Sequence, residues 1–177
     1  MALLKRSKKQ ASSTSRAKLC PLVTHSPEET QKLGKLIAAE LEAGDVLLLH
    51  GDLGSGKTTF VQGLARAMGV QGYVRSSSFM LVNEYRTASG NPPLFHVDLY
   101  RLDGGDLDAF GLEEYMMGKG ICVIEWAEKL PGIEARRVWD ITLAWRSDTE
   151  RTVTVQWPQK TCASKARGPV KRRGDKR

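Results

Sequence analysis

The sequence predicts an α/β domain in which a mixed sheet is flanked by helices, and three observations carry that prediction. Val46 to Leu49 and Ile121 to Ile124 are unbroken apolar runs, which suit strands buried on both faces of a sheet. Amphipathic helical patterns lie on either side of the first run. Two further pairs of strand-like segments are separated by short polar stretches, so hairpins add antiparallel strands to the parallel ones.

The chain has 177 residues and a formal charge of +7. Residues 1–18 hold six basic residues and no acid, and residues 158–177 hold eight basic residues against Asp175 alone. The remainder carries 13 basic and 19 acidic side chains, a net −6, so the basic character belongs entirely to the ends. Both ends lack the apolar side chains that would offset the entropy of ordering them. They read as disordered tails around one domain at 19–157, a length that suffices for a core without staples. The front tail has the acid-poor, Ser-rich character of an organellar address, but the matching composition of the other end favours a habit common to both tails. Cys20, Cys122 and Cys162 are odd in number and form no CxxC pair, which argues against a disulfide framework or a zinc knuckle. No run approaches the roughly 18–20 apolar residues of a membrane span, and Met1 to Leu4 is too short for a signal-peptide core. A soluble, cytoplasmic protein is expected.

Structure begins near Val23. Ser26, then Pro27, Glu28 and Glu29, gives a hydroxyl cap, a proline at the first helical position and an acid three residues after the cap. Leu33, Ile37 and Leu41, with Leu36 beside them, continue that helix, and Gly44 is expected to end it as a left-handed cap. The strand Val46–Leu49 follows, then a glycine-rich turn, then a helix marked by Phe60, Leu64 and Met68 that stops at Gly69. Met80, Val82 and Tyr85 mark one strand and Leu94 to Tyr100 its hairpin partner. A short helix is expected within Asp103 to Glu114, before the strand Ile121–Ile124. Val138–Trp145 and Thr152–Trp157 surround a charged turn and form the last hairpin.

The strongest chemical signal is GDLGSGKTT at Gly51 to Thr59, which fits G-x-x-x-x-G-K-[ST] between a buried strand and a helix. Glycines let backbone N–H groups of Gly54, Ser55, Gly56 and Lys57 wrap a polyphosphate at a helix N-terminus. Lys57 supplies a point charge to the outer phosphates, and the Thr58 hydroxyl suits a magnesium ion. Such an ion also wants a carboxylate from a neighbouring strand. Glu125, at the carboxyl end of the Ile121–Ile124 run, is the first candidate because open α/β sheets bind ligands beyond those ends. Asp98 is the second, as a water-orienting group. Ser76 to Phe79 occupies the place of a phosphate-sensing switch loop. Trp126 reads either as a wall of the nucleotide site or as core. His25, His50 and His96 show no metal-ligand spacing.

The ordered series GDLGSGKTTF, VRSSSFMLVNEY, FHVDLYRL, GLEEYM and CVIEW closely resembles the TsaE (YjeE-like) ATPases of bacterial tRNA threonylcarbamoyladenosine synthesis. It spans about Ser26 to Trp157 and leaves both tails outside. The resemblance implies a single P-loop NTPase-like domain that binds and hydrolyses ATP with magnesium. It implies TsaD and TsaB as partners in the modification of the tRNA adenosine beside the anticodon, with ATP turnover resetting their complex. It assigns nucleotide binding to Asp52, Leu53, Gly54, Ser55, Gly56, Lys57, Thr58 and Thr59, metal binding to Thr58 and Glu125, and an essential role to Asp98. His25, Glu128 and Arg151 align with further nucleotide-contacting positions. The family's S-P-T-[FY] is here Ser76, Ser77, Ser78 and Phe79; loss of the proline bears on loop order and hydrolysis rate, and not on ATP binding.

Two rivals differ in what they require. A small P-loop kinase of a nucleoside or metabolite needs a lid of arginines over the transferred phosphate, and Arg136, Arg137, Arg146 and Arg151 lie in no lid-like insertion. A nucleic-acid binder using ATP as a structural ligand would bind RNA through its tails with strong salt dependence.

Overall fold

The computed structural model describes residues 21–76, 82–102, 111–130, 132–133 and 135–158. Along the chain run β1 (Leu22–Thr24), α1 (Pro27–Ala38), β2 (Asp45–His50), α2 (Lys57–Ala67), β3 (Val82–Tyr85), β4 (Leu94–Asp98), α3 (Leu112–Met116), β5 (Ile121–Glu125), a 3-10 turn at Ala127–Lys129, β6 (Arg137–Trp145) and β7 (Arg151–Gln156). The strands form one seven-stranded mixed sheet in the order β1-β7-β6-β2-β5-β4-β3. The two apolar runs are central neighbours, paired in parallel with Leu47 opposite Val123 and Leu49 opposite Glu125. β4 and β6 extend the parallel part on either side, and β3, β7 and β1 close it with antiparallel pairs.

Alternation along β2 and β5 divides the core between two faces. Leu47, Leu49, Ile121 and Val123 pack with Phe60, Val61 and Leu64 of α2 and Ile37 of α1. Val46, Cys122 and Ile124 pack on the opposite face with Leu112 and Met116 of α3. Cys122 is free and buried, and burial pushes its thiol up to about 12, which leaves no thiolate to react at neutral pH. Cys20 and Cys162 fall outside the described residues.

The first helix starts as its sequence predicts, with Pro27 at its opening and Ser26 Oγ accepting from the Glu29 amide at 3.2 Å. Its end differs. The helix stops at Ala38, so Leu41 reaches the core from a turn, Leu36 faces solvent at 51% exposure, and Gly44 (φ +88) stands at the entry to β2 instead of capping the helix. The buried carboxylate of Asp45 enforces this turn: Oδ2 accepts from the Glu42 amide at 3.0 Å and from Trp139 Nε1 at 2.9 Å. α2 ends as expected, with Gly69 at φ +80 just beyond it.

Both expected hairpins form. β3 begins at Val82, since Met80 and Leu81 lie outside the described residues, and β4 ends at Asp98, where the Leu99 amide turns to the Glu125 carbonyl at 3.2 Å. Of the helix expected within 103–114, residues 103–110 fall outside the description and α3 occupies Leu112–Met116. The sequence did not reveal β1 as a strand; it joins the sheet edge through Val23 opposite Thr152. The expected tails at 1–18 and 158–177 lie, apart from Pro158, outside the described residues. No helix among the described residues is long and apolar enough to cross a membrane.

Candidate functional site

β2 delivers the chain to Gly51 at the carboxyl edge of the parallel strands. Gly51 has φ +133, and a Cβ there would stand 2.0 Å from the Leu143 carbonyl oxygen of β6, so only glycine lets the loop leave the sheet so close to its neighbour. Gly56, at φ +98, is the left-handed residue from which α2 starts, with no side chain capping the first turn. The open N–H groups of that turn and the positive end of the helix face the loop. Leu53 to Thr59 line a cavity of about 370 Å³ completed by Ser76, Tyr100, Arg101, Glu125 and Trp126.

Lys57 is 4% exposed and its Nζ lies inside the loop, donating to the carbonyls of Gly51 and of Asp52, the latter at 3.0 Å. The same ammonium sits 3.8 Å from the centre of the Trp126 ring. Burial lowers its pKa, against the opposing pull of Glu125, Glu128, Asp98 and Asp52. Its alternative partners are neutral carbonyls and a ring face, so an anion in the loop offers this charge a stronger partner. Ser55 Oγ is fully buried beside it and has no hydrogen-bond partner among the described residues.

Thr58, one residue further into α2, donates from Oγ1 to Glu125 Oε2 at 2.9 Å. Glu125 ends β5, is 2% exposed, and receives His96 Nε2 on its other oxygen at 2.9 Å. A hydroxyl and a buried carboxylate, both hard oxygen donors beside a phosphate-type loop, suit a magnesium ion shared with phosphates, which is held by few protein ligands. Among the described residues there is no cluster of three or more His, Cys, Asp or Glu that would cage a metal by itself. Asp98 is in register with Glu125, but its carboxylate is engaged by the Ser76 hydroxyl and by the Tyr100 amide at 3.1 Å. Trp126 has φ +61, unusual for a side-chain-bearing residue, and its ring contacts Tyr100 at a 5.0 Å centroid separation. It lines the cavity wall while its other side packs on the second core cluster, so both sequence readings of it hold in part.

The family model described as "Threonylcarbamoyl adenosine biosynthesis protein TsaE" matches residues 24–161. The chain belongs to the TsaE family. It is 41% identical to the Bacillus subtilis tRNA threonylcarbamoyladenosine biosynthesis protein TsaE over 131 residues, covering 74% of this chain and 81% of that one. It is 42% identical to the Synechocystis protein of the same name over 111 residues, covering 60% and 69%. The crystal structure of Bacillus subtilis YdiB superposes with a TM-score of 0.62 at 39% identity, covering 78% of this chain and 84% of that one. The mixed sheet with its phosphate-type loop is thus the α/β architecture of a P-loop ATPase-like family.

Within this frame the residues expected from the sequence fall into two groups. Leu53, Gly54, Ser55, Gly56, Lys57, Thr58, Thr59 and Glu125 converge on the cavity, and Asp52 contributes its carbonyl to Lys57 from the loop itself. Asp98, His25, Glu128 and Arg151 do not line it. Arg151 supports the loop from behind, donating from Nε to the Gly54 carbonyl at 3.2 Å, and His25 pairs with the adjacent Glu150 at 3.0 Å. Glu128 stands 3.5 Å from His50. Of the expected switch loop, Ser76 meets Asp98, and Ser77 to Phe79 fall outside the described residues. Sequence reasoning missed His96, Tyr100 and Arg101. The alternation of His96 and Asp98 on one face of β4 was the available signal, but without the strand order nothing linked it to Glu125.

Proposed function

We propose that this protein is the ATP-binding and ATP-hydrolysing subunit of the machinery that places a threonylcarbamoyl group on the tRNA adenosine beside the anticodon, acting with TsaD and TsaB and resetting their complex between cycles. The observation that carries the reading is the contact of Thr58 with Glu125 at the mouth of the glycine loop, in a chain of the TsaE family. Amides at the start of α2 hold the phosphates, and Lys57 exchanges the Gly51 and Asp52 carbonyls for phosphate oxygens. Thr58 and Glu125 would hold a magnesium ion, which would neutralise charge on the outer phosphates. Asp98, kept in place by Ser76 and the Tyr100 amide, orients the attacking water. Trp126 and Tyr100 form an aromatic wall on one side of the cavity.

The tRNA is reached through the complex, and the basic ends at 1–18 and 158–177 add screened, non-specific attraction to it. The protein works in the cytoplasm. The test mixes purified protein with TsaD and TsaB from the same source and follows tRNA modification over many turnovers. Modification that continues beyond a first cycle only when this protein and ATP are present is the expected result. No association with either partner, together with turnover that ignores this protein, sinks the assignment.

A further inference from the structure

β4 and β5 run parallel with Asp98 opposite Glu125 and His96 opposite Val123, which sets the imidazole one pleat below the carboxylates, on the same face of the sheet. His96 is completely buried, and its Nδ1 has no hydrogen-bond partner among the described residues. The ring's polar tie is Nε2 to Glu125 Oε1 at 2.9 Å. An ionised carboxylate only accepts, so Nε2 carries the proton of this contact. The two oxygens of Glu125 therefore have different holders: His96 on Oε1, Thr58 on Oε2.

That division matters because a glutamate carboxylate turns easily about its last bond. Uptake of a divalent cation by Thr58 Oγ1 and Glu125 Oε2 competes with the hydrogen bond between those two atoms. It leaves the His96 contact untouched, and this contact then fixes the plane of the carboxylate. We propose that His96 is a positioning residue for the nucleotide-bound divalent cation: by holding Oε1 of Glu125 it reserves Oε2 for the metal beside Thr58. The inference rests on the reading of Thr58 and Glu125 given above. Hydrogen-bond partners of metal-ligating groups commonly tune metal affinity by about 10- to 100-fold.

His96→Gln and His96→Asn separate this role from simple core filling. The glutamine amide reaches where Nε2 stands; the asparagine amide stands where Nδ1 is and stops short of Glu125. Full-length variants are titrated with a fluorescent ADP analogue in EDTA and across magnesium chloride concentrations. Wild type and His96→Gln should share one magnesium requirement, whereas His96→Asn should need on the order of tenfold more magnesium with its affinity in EDTA unchanged. Nitrogen-15 NMR of the intact protein, which needs no variant to fold, should find the His96 proton on Nε2 both with and without magnesium and ADP. Equal magnesium requirements in the two variants, losses in EDTA matching those in magnesium, or an Nε2 that carries no proton would overturn the role of His96. A wild type whose nucleotide affinity ignores magnesium would instead overturn the reading of Thr58 and Glu125 on which it rests.

Discussion

Lys57 and Glu125 are buried charged groups held by contacts of different strength, and that difference sets what each substitution should do. Lys57 rests on two carbonyls and a tryptophan face, partners that an incoming phosphate outcompetes. Lys57→Ala should weaken ATP binding by about tenfold to a hundredfold, matching the roughly 1.5–3 kcal/mol of a hydrogen bond to a charged group. Isothermal calorimetry measures this, and an unaltered affinity would remove Lys57 from the phosphate site. Glu125→Ala, in the same experiment, should keep nucleotide with a reduced response to magnesium and lose hydrolysis; unchanged turnover would remove Glu125 from the site. Both residues were legible in the sequence, because a phosphate loop and an acid closing an apolar strand are local patterns. His96 was not, because its significance lies in a contact across 29 residues of sequence.

At the scale of elements, α1 and α2 touch backbone to backbone through paired glycines. A Cβ on Gly34 would lie 2.3 Å from the Phe60 carbonyl oxygen, and one on Gly63 would lie 2.0 Å from that of Gln31. Neither neighbour can yield, since both are helix backbone. Gly63→Ala should therefore destabilise the fold by roughly 1–3 kcal/mol despite the better helix propensity of alanine, the ordinary cost of overpacking a core. Urea unfolding reads this directly, and a variant as stable as wild type would show that the helices slide apart without cost. Because α2 begins at the phosphate loop, a shift of this helix also moves Thr58 relative to Glu125. The helical periods of α1 and α2 were readable from Leu33, Ile37, Phe60 and Leu64, but the choice of Gly34 and Gly63 as the crossing point was not. Spacing reports which face is apolar, and it does not report how near another backbone comes.

Across the whole molecule, His50 ties three separate segments at the carboxyl edge of the sheet. Its Nε2 lies 3.5 Å from Asp140 of β6 and its Nδ1 lies 3.5 Å from Glu128 after β5. The contact with Asp140 raises the imidazole pKa, burial opposes it, and the charges of Asp140 and Glu128 add to the rise. A raised folded-state pKa means stability that is fully present below the ordinary value of 6.5 and fades as pH climbs through the folded value. Thermal unfolding of wild type against His50→Gln should thus show its largest gap on the acid side of that window and a shrinking one above it. A gap independent of pH would show that this pairing is not what His50 contributes.

Local sequence alone settled the α/β class, the two apolar runs as buried strands, the two hairpins and the phosphate loop, because each is written in neighbouring residues as burial period, turn chemistry or glycine spacing. It also located the charge: the basic ends flank a stretch of net −6, so attraction of an anion to this domain comes from Lys57 and the start of α2 and not from the overall field. The strand order and the contacts between distant segments were settled by the fold. The early end of α1 and the hold of His96 on Glu125 follow from buried polar groups finding partners far along the chain, Asp45 with Trp139 and His96 with Glu125, while β1 adds to β7 through backbone pairing at the sheet edge. Such partners are chosen when strands are brought into register and water is excluded, and no local pattern of residues records that choice.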